Sequence, residues 1–333
     1  MKLFNLSVFI VFFTFFSNAQ IQSESDYVQI LGIVQDAGYP HIGCEKDCCE
    51  LVKPGDYFVS CIGLVDKANN KRYLFDATPD MHNQLNLLEK FPNGNLIDGI
   101  FLTHAHIGHY TGLMYLGREG LGGNKIKVYA LKRMAAFLRK NGPWNQLIKL
   151  KNIDIQTISN KNFIKLSKNI LVIPIKVPHR DEYSETVGYK IIGKTKKMLF
   201  IPDIDKWNEW EKDIVEEIKL VDYALIDGTF YNGIELERDM SEIPHPSVEE
   251  TLELFLNQPI SERNKIYFIH LNHTNPVLTN KNGVKDLIEN YGFNIAKNTI
   301  KISNIVGLSL TILKYLGLAV FLSSLNALKH DPR

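Results

Sequence analysis

The chain has 333 residues, 45% of them hydrophobic, and its 38 Lys and Arg against 37 Asp and Glu leave a formal charge of +1. That length suits one large α/β domain or two small ones. The balance excludes a protein built to neutralise a polyanion, so no nucleic-acid partner is expected; the basic stretches Lys132-Arg133, Arg139-Lys140 and Lys194-Thr195-Lys196-Lys197 read as solvated faces.

Residues 1–19 read as a signal peptide outside the fold. Lys2 supplies its positive charge, residues 6–16 form an aromatic-rich apolar run, and Ser17-Asn18-Ala19 sets a cleavage point before Gln20. The apolar run is short for a bilayer span, so the expected location is exported, periplasmic or extracellular. A domain is expected over 27–302. Its first predicted strand is 28–34, followed by a hairpin of 61–65 and 72–75 around Asn69-Asn70. Pro79 opens a helix over 80–88. Residues 99–103 form a buried strand that runs directly into Thr103-His104-Ala105-His106-Ile107-Gly108-His109, and a helix follows over 109–116. Next come a strand over 127–130 and a helix over 131–140.

The second half is similar in style. A strand over 171–177 ends at Pro178-His179, and a hairpin of 187–192 and 198–201 around Gly193-Lys194 ends at Pro202-Asp203. A helix covers 206–218, a strand over 223–226 ends at Asp227, a helix covers 248–256, and a strand over 265–269 ends at His270. No low-complexity linker interrupts this alternation, which predicts one domain of two packed sheets with helices outside. Residues 303–333 form an apolar C-terminal extension whose run 305–328 is broken by Lys314. Its length fits a membrane span, while a central lysine costs about 2.5–3.5 kcal/mol there. A span and an amphipathic helix docked on the domain or on a membrane surface both stay open.

One pattern organises the candidate site. Asp76, His104, His179, Asp203, Asp227 and His270 each stand just past the C-terminal end of an apolar strand. Side chains at strand ends converge on one rim, where α/β proteins place their sites. His104, His106 and His109 lie within six residues at a strand-to-helix turn, a spacing at which neutral imidazoles can face one or two ions of zinc, iron or manganese.

This stretch, Thr-His-Ala-His-Ile-Gly-His, resembles the His-x-His-x-Asp-His signature of the metallo-β-lactamase superfamily, whose fold is a four-layer αββα sandwich. The resemblance implies that His104, His106 and His179 ligate a first metal, that Asp203 bridges, and that His109 and His270 serve a second. A metal-bound hydroxide would then be the nucleophile. The departure is Gly108, where the family usually has aspartate: either the second site binds weakly, or the enzyme works with one metal, or another carboxylate substitutes, with Asp80 and Asp205 candidates by position. Asp76 is expected to accept a hydrogen bond from a ligating histidine. A narrower resemblance, to pyrroloquinoline quinone biosynthesis protein B, rests on Asp76-Ala-Thr-Pro-Asp80, Tyr110-Thr-Gly-Leu-Met-Tyr-Leu-Gly-Arg-Glu119, Asp227-Gly-Thr-Phe230 and Ile269-His-Leu-Asn-His-Thr-Asn-Pro276. That family generally lacks the full histidine triplet, so the metal site is more similar to that of the superfamily's cyclic phosphodiesterases.

Gly43-Cys44-Glu45-Lys46-Asp47-Cys48-Cys49 gathers three of the four cysteines into six residues. An exported protein invites a disulfide reading; the rival is a structural zinc on three thiolates and one histidine. Some phosphodiesterases of this fold carry such a zinc on the same loop. That resemblance implies His273 as the fourth ligand, with His41 in reserve, and zinc is the favoured reading. Cys61, in a strand, reads as core.

The leading functional expectation is a metal-dependent hydrolase acting on a small-molecule phosphodiester or other ester, with Asp203, Asp80 and His245 in the catalytic set. His245, within Pro244-His245-Pro246, acts there as general acid or substrate holder, or is a plain loop histidine. The alternative is an iron-dependent oxygenase resembling the quinone biosynthesis protein, and a third reading is a non-enzymatic binding fold. The expected cofactors are one or two divalent ions, zinc first and manganese or iron next, besides the structural zinc.

Overall fold

Apolar runs punctuated by turn residues fold into strands whose alternate side chains serve two different layers. The computed structural model describes residues 25–303, except 51, 93, 237 and 238. The predicted signal peptide and residues 304–333 of the C-terminal extension lie outside the described residues.

The chain first lays down β1 (Tyr27–Gly32), β2 (Cys61–Asp66), β3 (Lys71–Phe75), β4 (Gly99–Phe101), β5 (Ile126–Ala130) and β6 (Ile153–Thr157). A second sheet takes β7 (Ile164–Lys165), β8 (Leu171–Val177), β9 (Thr186–Ile192), β10 (Lys197–Ile201), β11 (Tyr223–Asp227), β12 (Ile266–Ile269) and β13 (Asn294–Ile295). The chain then returns as β14 (Lys301–Ser303), antiparallel to β1. The spatial orders are β14-β1-β2-β3-β4-β5-β6 and β13-β12-β11-β10-β9-β8-β7. Each sheet starts with antiparallel pairs and finishes with parallel ones: β3 to β6 in the first, β10 to β13 in the second. Parallel strands deliver their C-terminal ends to a common edge, and that edge becomes the site.

The two sheets pack face to face with helices outside, the expected four-layer αββα sandwich. On β3, Tyr73 and Phe75 join the cluster between the sheets, while Leu74 turns to Met81, Leu85 and Leu113 in the helix layer. Phe75 stacks on Phe101 at 4.9 Å and Phe101 on Tyr129 at 4.3 Å, centroid to centroid. From the opposite sheet Tyr189 meets the edges of Phe75 and Phe101 at 5.3 and 5.5 Å. Its hydroxyl donates to the Leu102 carbonyl at 2.6 Å, which ties the second sheet to the end of β4 two residues before His104.

Two expected helices take other forms. The one expected over 109–116 is a single α turn, Ile107–Tyr110, continued by a 3₁₀ turn, Thr111–Leu116. Here the chain approaches its neighbour so closely that a Cβ on Gly112 would lie 2.1 Å from the Thr78 carbonyl oxygen. The helix expected over 206–218 begins only at Ile214–Lys219, because the Asp213 side chain accepts from the Val215 and Glu216 amides and caps it. Upstream, the Trp210 indole donates to the Lys176 carbonyl at 2.9 Å and holds the chain in a separate turn. The helices Trp144–Lys149 and Val284–Asn290 and the strands β6, β7, β13 and β14 were not expected.

Phe101 fills the centre of the inter-sheet layer, so Phe101→Ala is expected to cost about 3–5 kcal/mol. Equilibrium urea unfolding checks this; a loss below about 1 kcal/mol would show that the layer recloses around the cavity.

Candidate metal centre

Each histidine at the rim is oriented by one ring nitrogen so that the other points inward. Asp76, one residue past β3, accepts from the Thr103 amide at 2.7 Å and from its hydroxyl at 2.9 Å. The hydroxyl, having given its proton to Asp76, receives His104 Nδ1 at 3.0 Å. The other Asp76 oxygen takes His109 Nδ1 at 2.7 Å. The second sheet repeats the device. Asp227 accepts the Thr229 hydroxyl at 2.7 Å, and that hydroxyl lies 2.8 Å from His270 Nδ1. His179 is held the same way by Asp205, at 2.9 Å from Nδ1. Carboxylates and hydroxyls behind the ring fix its orientation and leave Nε2 with a free lone pair. Two of the residues at these strand ends, Asp76 and His270, adopt left-handed φ values of +72° and +64°.

The inward atoms form three groups, in each of which all donor atoms lie within 4.8 Å of one another: His104, His106, His179 and Asp203; Asp36, His109 and His270; and Asp203, Asp227 and His245. In the first group Asp203 Oδ2 is 3.3 Å from His104 Nε2, 3.2 Å from His179 Nε2 and 4.0 Å from His106 Nδ1. The outer nitrogen of His106 faces the Glu182 carboxylate at 3.3 Å. The same Asp203 oxygen is 4.0 Å from His109 Nε2, so this one carboxylate stands between the first and second groups. His245, expected on a loop, is buried with Nδ1 clasped between Asp227 at 2.9 Å and Asp203 at 3.3 Å.

Buried donor atoms without hydrogen bonds test whether cations fit. His104 Nε2, His109 Nε2, His270 Nε2, Asp36 Oδ1 and Asp203 Oδ1 are all buried and make none. Yet His109 Nε2 and Asp36 Oδ1 are 3.1 Å apart. Two such atoms approach this closely only with a proton or a cation between them. The site's electrostatics agree. Burial opposes the charge of Asp203, but His179 and His245 beside it hold its carboxyl well below the usual range. Burial likewise opposes the charge of Asp36, which His109 and His270 keep well below that range. Burial would discharge His179, yet Asp203 and Asp205 push it up to about 10. Burial and the charge of His109 hold His104 well below the imidazole range, as a neutral ligand must be. These carboxylates demand positive charge in a dry pocket, and imidazole and carboxylate donors suit a divalent ion.

The Asp80 carboxylate accepts from the Val59 amide at 2.9 Å at the entry to the helix Met81–Leu87, and it belongs to none of the three groups. Asp205 is spent on His179 instead of standing in for position 108. Asp36, absent from the sequence reading, is the carboxylate that meets His109 and His270, at 3.1 and 3.4 Å from their Nε2 atoms.

Away from this rim, Cys44, Cys48, Cys49 and His273 form a fourth group within the same 4.8 Å limit, and all four cysteines are free thiols, with Cys61 in the core. His41 lies outside the group, its ring 4.2 Å from that of His273. Burial pushes the Cys48 thiol up to about 11, with the Cys49 and Cys44 charges adding to the rise. Burial, with the charges of His41 and Lys46, brings His273 down to about 4, so its imidazole is neutral.

Comparison with known proteins finds both resemblances drawn from the motifs. The family model for the Beta-lactamase superfamily domain matches residues 71–271. Coenzyme PQQ synthesis protein B of Methylorubrum extorquens (strain PA1) is 26% identical over an alignment 301 residues long, gaps included, that covers 81% of this chain and 97% of that protein. The crystal structure of Zn(2+)-bound PqqB from Methylobacterium extorquens aligns with a TM-score of 0.68 at 21% identity, over 83% of this chain and 99% of that one. A diphosphatase from the PhnP family aligns at 0.58 and 20% identity, over 83% and 96%. The expectation of an exported, periplasmic or extracellular, membrane-associated protein is corrected. The relative matched over 97% of its length is named a coenzyme synthesis protein. Among the described residues, which leave out 1–24 and 304–333, no helix is long and apolar enough to cross a membrane.

The hydroxyl of Thr229 touches the donor groups through His270 and Asp227. Thr229→Val, which keeps the shape, is expected to weaken binding of a divalent ion about 10–100-fold while leaving the circular dichroism spectrum unchanged. Unchanged affinity in a calorimetric titration would show that the relay does not orient the ring.

Proposed function

The chain belongs to the beta-lactamase superfamily, and we propose that it is a metal-dependent hydrolase of a small phosphodiester or other ester, with His104, His106, His179 and Asp203 holding its first divalent ion. The observation that carries this reading is the convergence of buried, hydrogen-bond-free nitrogens and oxygens at the strand ends. Such atoms are costly in a folded chain unless a cation meets them. Zinc suits the donor set first, with manganese and iron next. The shared fold with a diphosphatase favours phosphorus esters among substrates.

A divalent ion in this place lowers the pKa of the water it binds and neutralises charge that develops on a phosphoryl or carbonyl oxygen. The chain's own residues do the rest. Thr103 and Asp205 keep the His104 and His179 rings turned inward, and Glu182 steadies His106 from outside. Asp203 presents one oxygen to His104 and His179 and the other to His245. Asp227 engages Nδ1 of His245, so the ring's second nitrogen is the one that reaches a leaving oxygen and gives it a proton. Cys44, Cys48, Cys49 and His273 hold a structural zinc in this reading, since three thiolates and a neutral imidazole close a four-donor site.

Purified protein is expected to contain zinc or manganese and to hydrolyse bis-p-nitrophenyl phosphate, with activity lost on chelation and restored by the ion. His106→Ala should lower both metal content and kcat/KM, the latter by about 100-fold or more. A full metal complement in that variant would remove the cluster from the site. Iron with oxygen uptake and no ester cleavage would replace hydrolysis by the oxygenase reading. Independently, Cys48→Ser should lower tightly bound zinc by about one ion per chain and reduce Tm; an unchanged zinc count would dismiss the structural site.

A further inference from the structure

We propose that Asp36 supplies the carboxylate of a second cation site with His109 and His270, replacing from a distant loop the aspartate that the motif lacks at Gly108. This deepens the metal-centre reading and rests on it, but not on the reaction catalysed.

Three observations carry it. First, Asp36 Oδ1 lies 3.1 Å from His109 Nε2 and 3.4 Å from His270 Nε2, and all three atoms are buried without hydrogen bonds. Each imidazole is already committed through Nδ1, to Asp76 and to Thr229, so the inward nitrogens have no other described use. Second, the space is exclusive. A Cβ built on Gly108 would sit 2.3 Å from Asp36 Oδ1 and 2.7 Å from Asp36 Cα and Cγ. Gly108 lies in the α turn Ile107–Tyr110 and its φ is outside the left-handed region, so its backbone does not require glycine. What requires glycine is residue 36, whose Cα and carboxylate together fill the volume a side chain there would take. An aspartate at 108 and an aspartate at 36 are alternatives for one place.

Third, the chain holds Asp36 in register with its partner histidine. Val34 bridges in parallel to both Val59 and Leu271, and the Gln35 amide donates to the Leu271 carbonyl at 2.9 Å. Asp36 therefore follows a backbone pairing with the residue next to His270. With Asp203 Oδ2 at 4.0 Å from His109 Nε2, the second site adjoins the first through a shared carboxylate.

The test counts ions. The full-length chain is dialysed against Mn²⁺, and bound manganese plus zinc is measured by mass spectrometry for the wild type, Asp36→Ala, Gly108→Asp and the double variant Asp36→Gly with Gly108→Asp. Asp36→Ala is expected to hold about one ion fewer than the wild type. Gly108→Asp alone should lower Tm through the clash, and the double variant, which still meets the residue-36 Cα, should recover only part of that loss. Asp36→Asn, which keeps the volume, guards against misfolding; its last ion should bind about 100-fold or more weakly in calorimetry, beyond what loss of an outer partner costs. Equal ion counts in wild type and Asp36→Ala would overturn the proposal. Correct ion counts without ester hydrolysis would sink the hydrolase reading and leave this one standing.

Discussion

Everything in this fold answers to a cluster of carboxylates in a place where carboxylates are unwelcome. Asp76 and Asp203 are buried, Asp36 is largely so, and the described ion-pair partners of all three are histidines. A buried anion is tolerated only where positive charge meets it. Imidazoles supply that charge only by taking protons, whereas a divalent ion supplies it and leaves them neutral. The sandwich is arranged so that neither sheet owns the solution. β1, β3 and β4 lead to Asp36, Asp76 and the His104–His109 turn, while β8, β10, β11 and β12 lead to His179, Asp203, Asp227 and His270. The Phe75, Phe101 and Tyr189 layer behind them sets the distance between the two contributions.

The support is doubled as well. In each sheet an aspartate takes a threonine hydroxyl proton, and the hydroxyl then receives a histidine Nδ1: Asp76, Thr103 and His104 in one, Asp227, Thr229 and His270 in the other. A ring held this way has one orientation, which is what ligand geometry to a small ion needs. The left-handed backbone at Asp76 and His270 belongs to the same arrangement. Non-glycine residues adopt such angles at a cost that the surrounding structure must sustain, and they gather where side-chain placement matters more than backbone ease.

Much of this was legible in the sequence, because period-two apolar runs end where the fold needs polar groups. That rule found His104, His179, Asp203, Asp227 and His270, and placed most long strands within a residue or two. The same rule covers Asp36, which stands two residues past the expected strand 28–34 and whose partners His109 and His270 lie far away in sequence. Asp80 and Asp205 stand close in sequence to Asp76 and Asp203, but a hydrogen bond to the Val59 amide and one to His179 decide their places, and neither contact is local in sequence. Short elements such as β7 and β13, of two residues each, carry too little periodicity to read. The helix expected over 206–218 failed because Trp207 and Trp210 are buried in the core and fit a helical stripe as well as they fit the turns observed.

Moving a ligand from a helix turn to a loop changes what governs the grip on an ion. A turn is stiff by its own hydrogen bonds; a loop is as stiff as its moorings. Asp36 is moored on one side by the bridges of Val34, and on the other its segment runs on to the cysteines that meet His273, three residues from His270. The ring contact of His41 with His273 lies between these points. The strap and the histidine it serves are thus buttoned together twice, and the local concentration of the Asp36 carboxylate at His270 rises with the tightness of the second button. In the reading proposed above, loss of the structural zinc from the cysteines would slacken the strap without touching any atom of the rim, and the second ion would then bind against a larger loss of entropy.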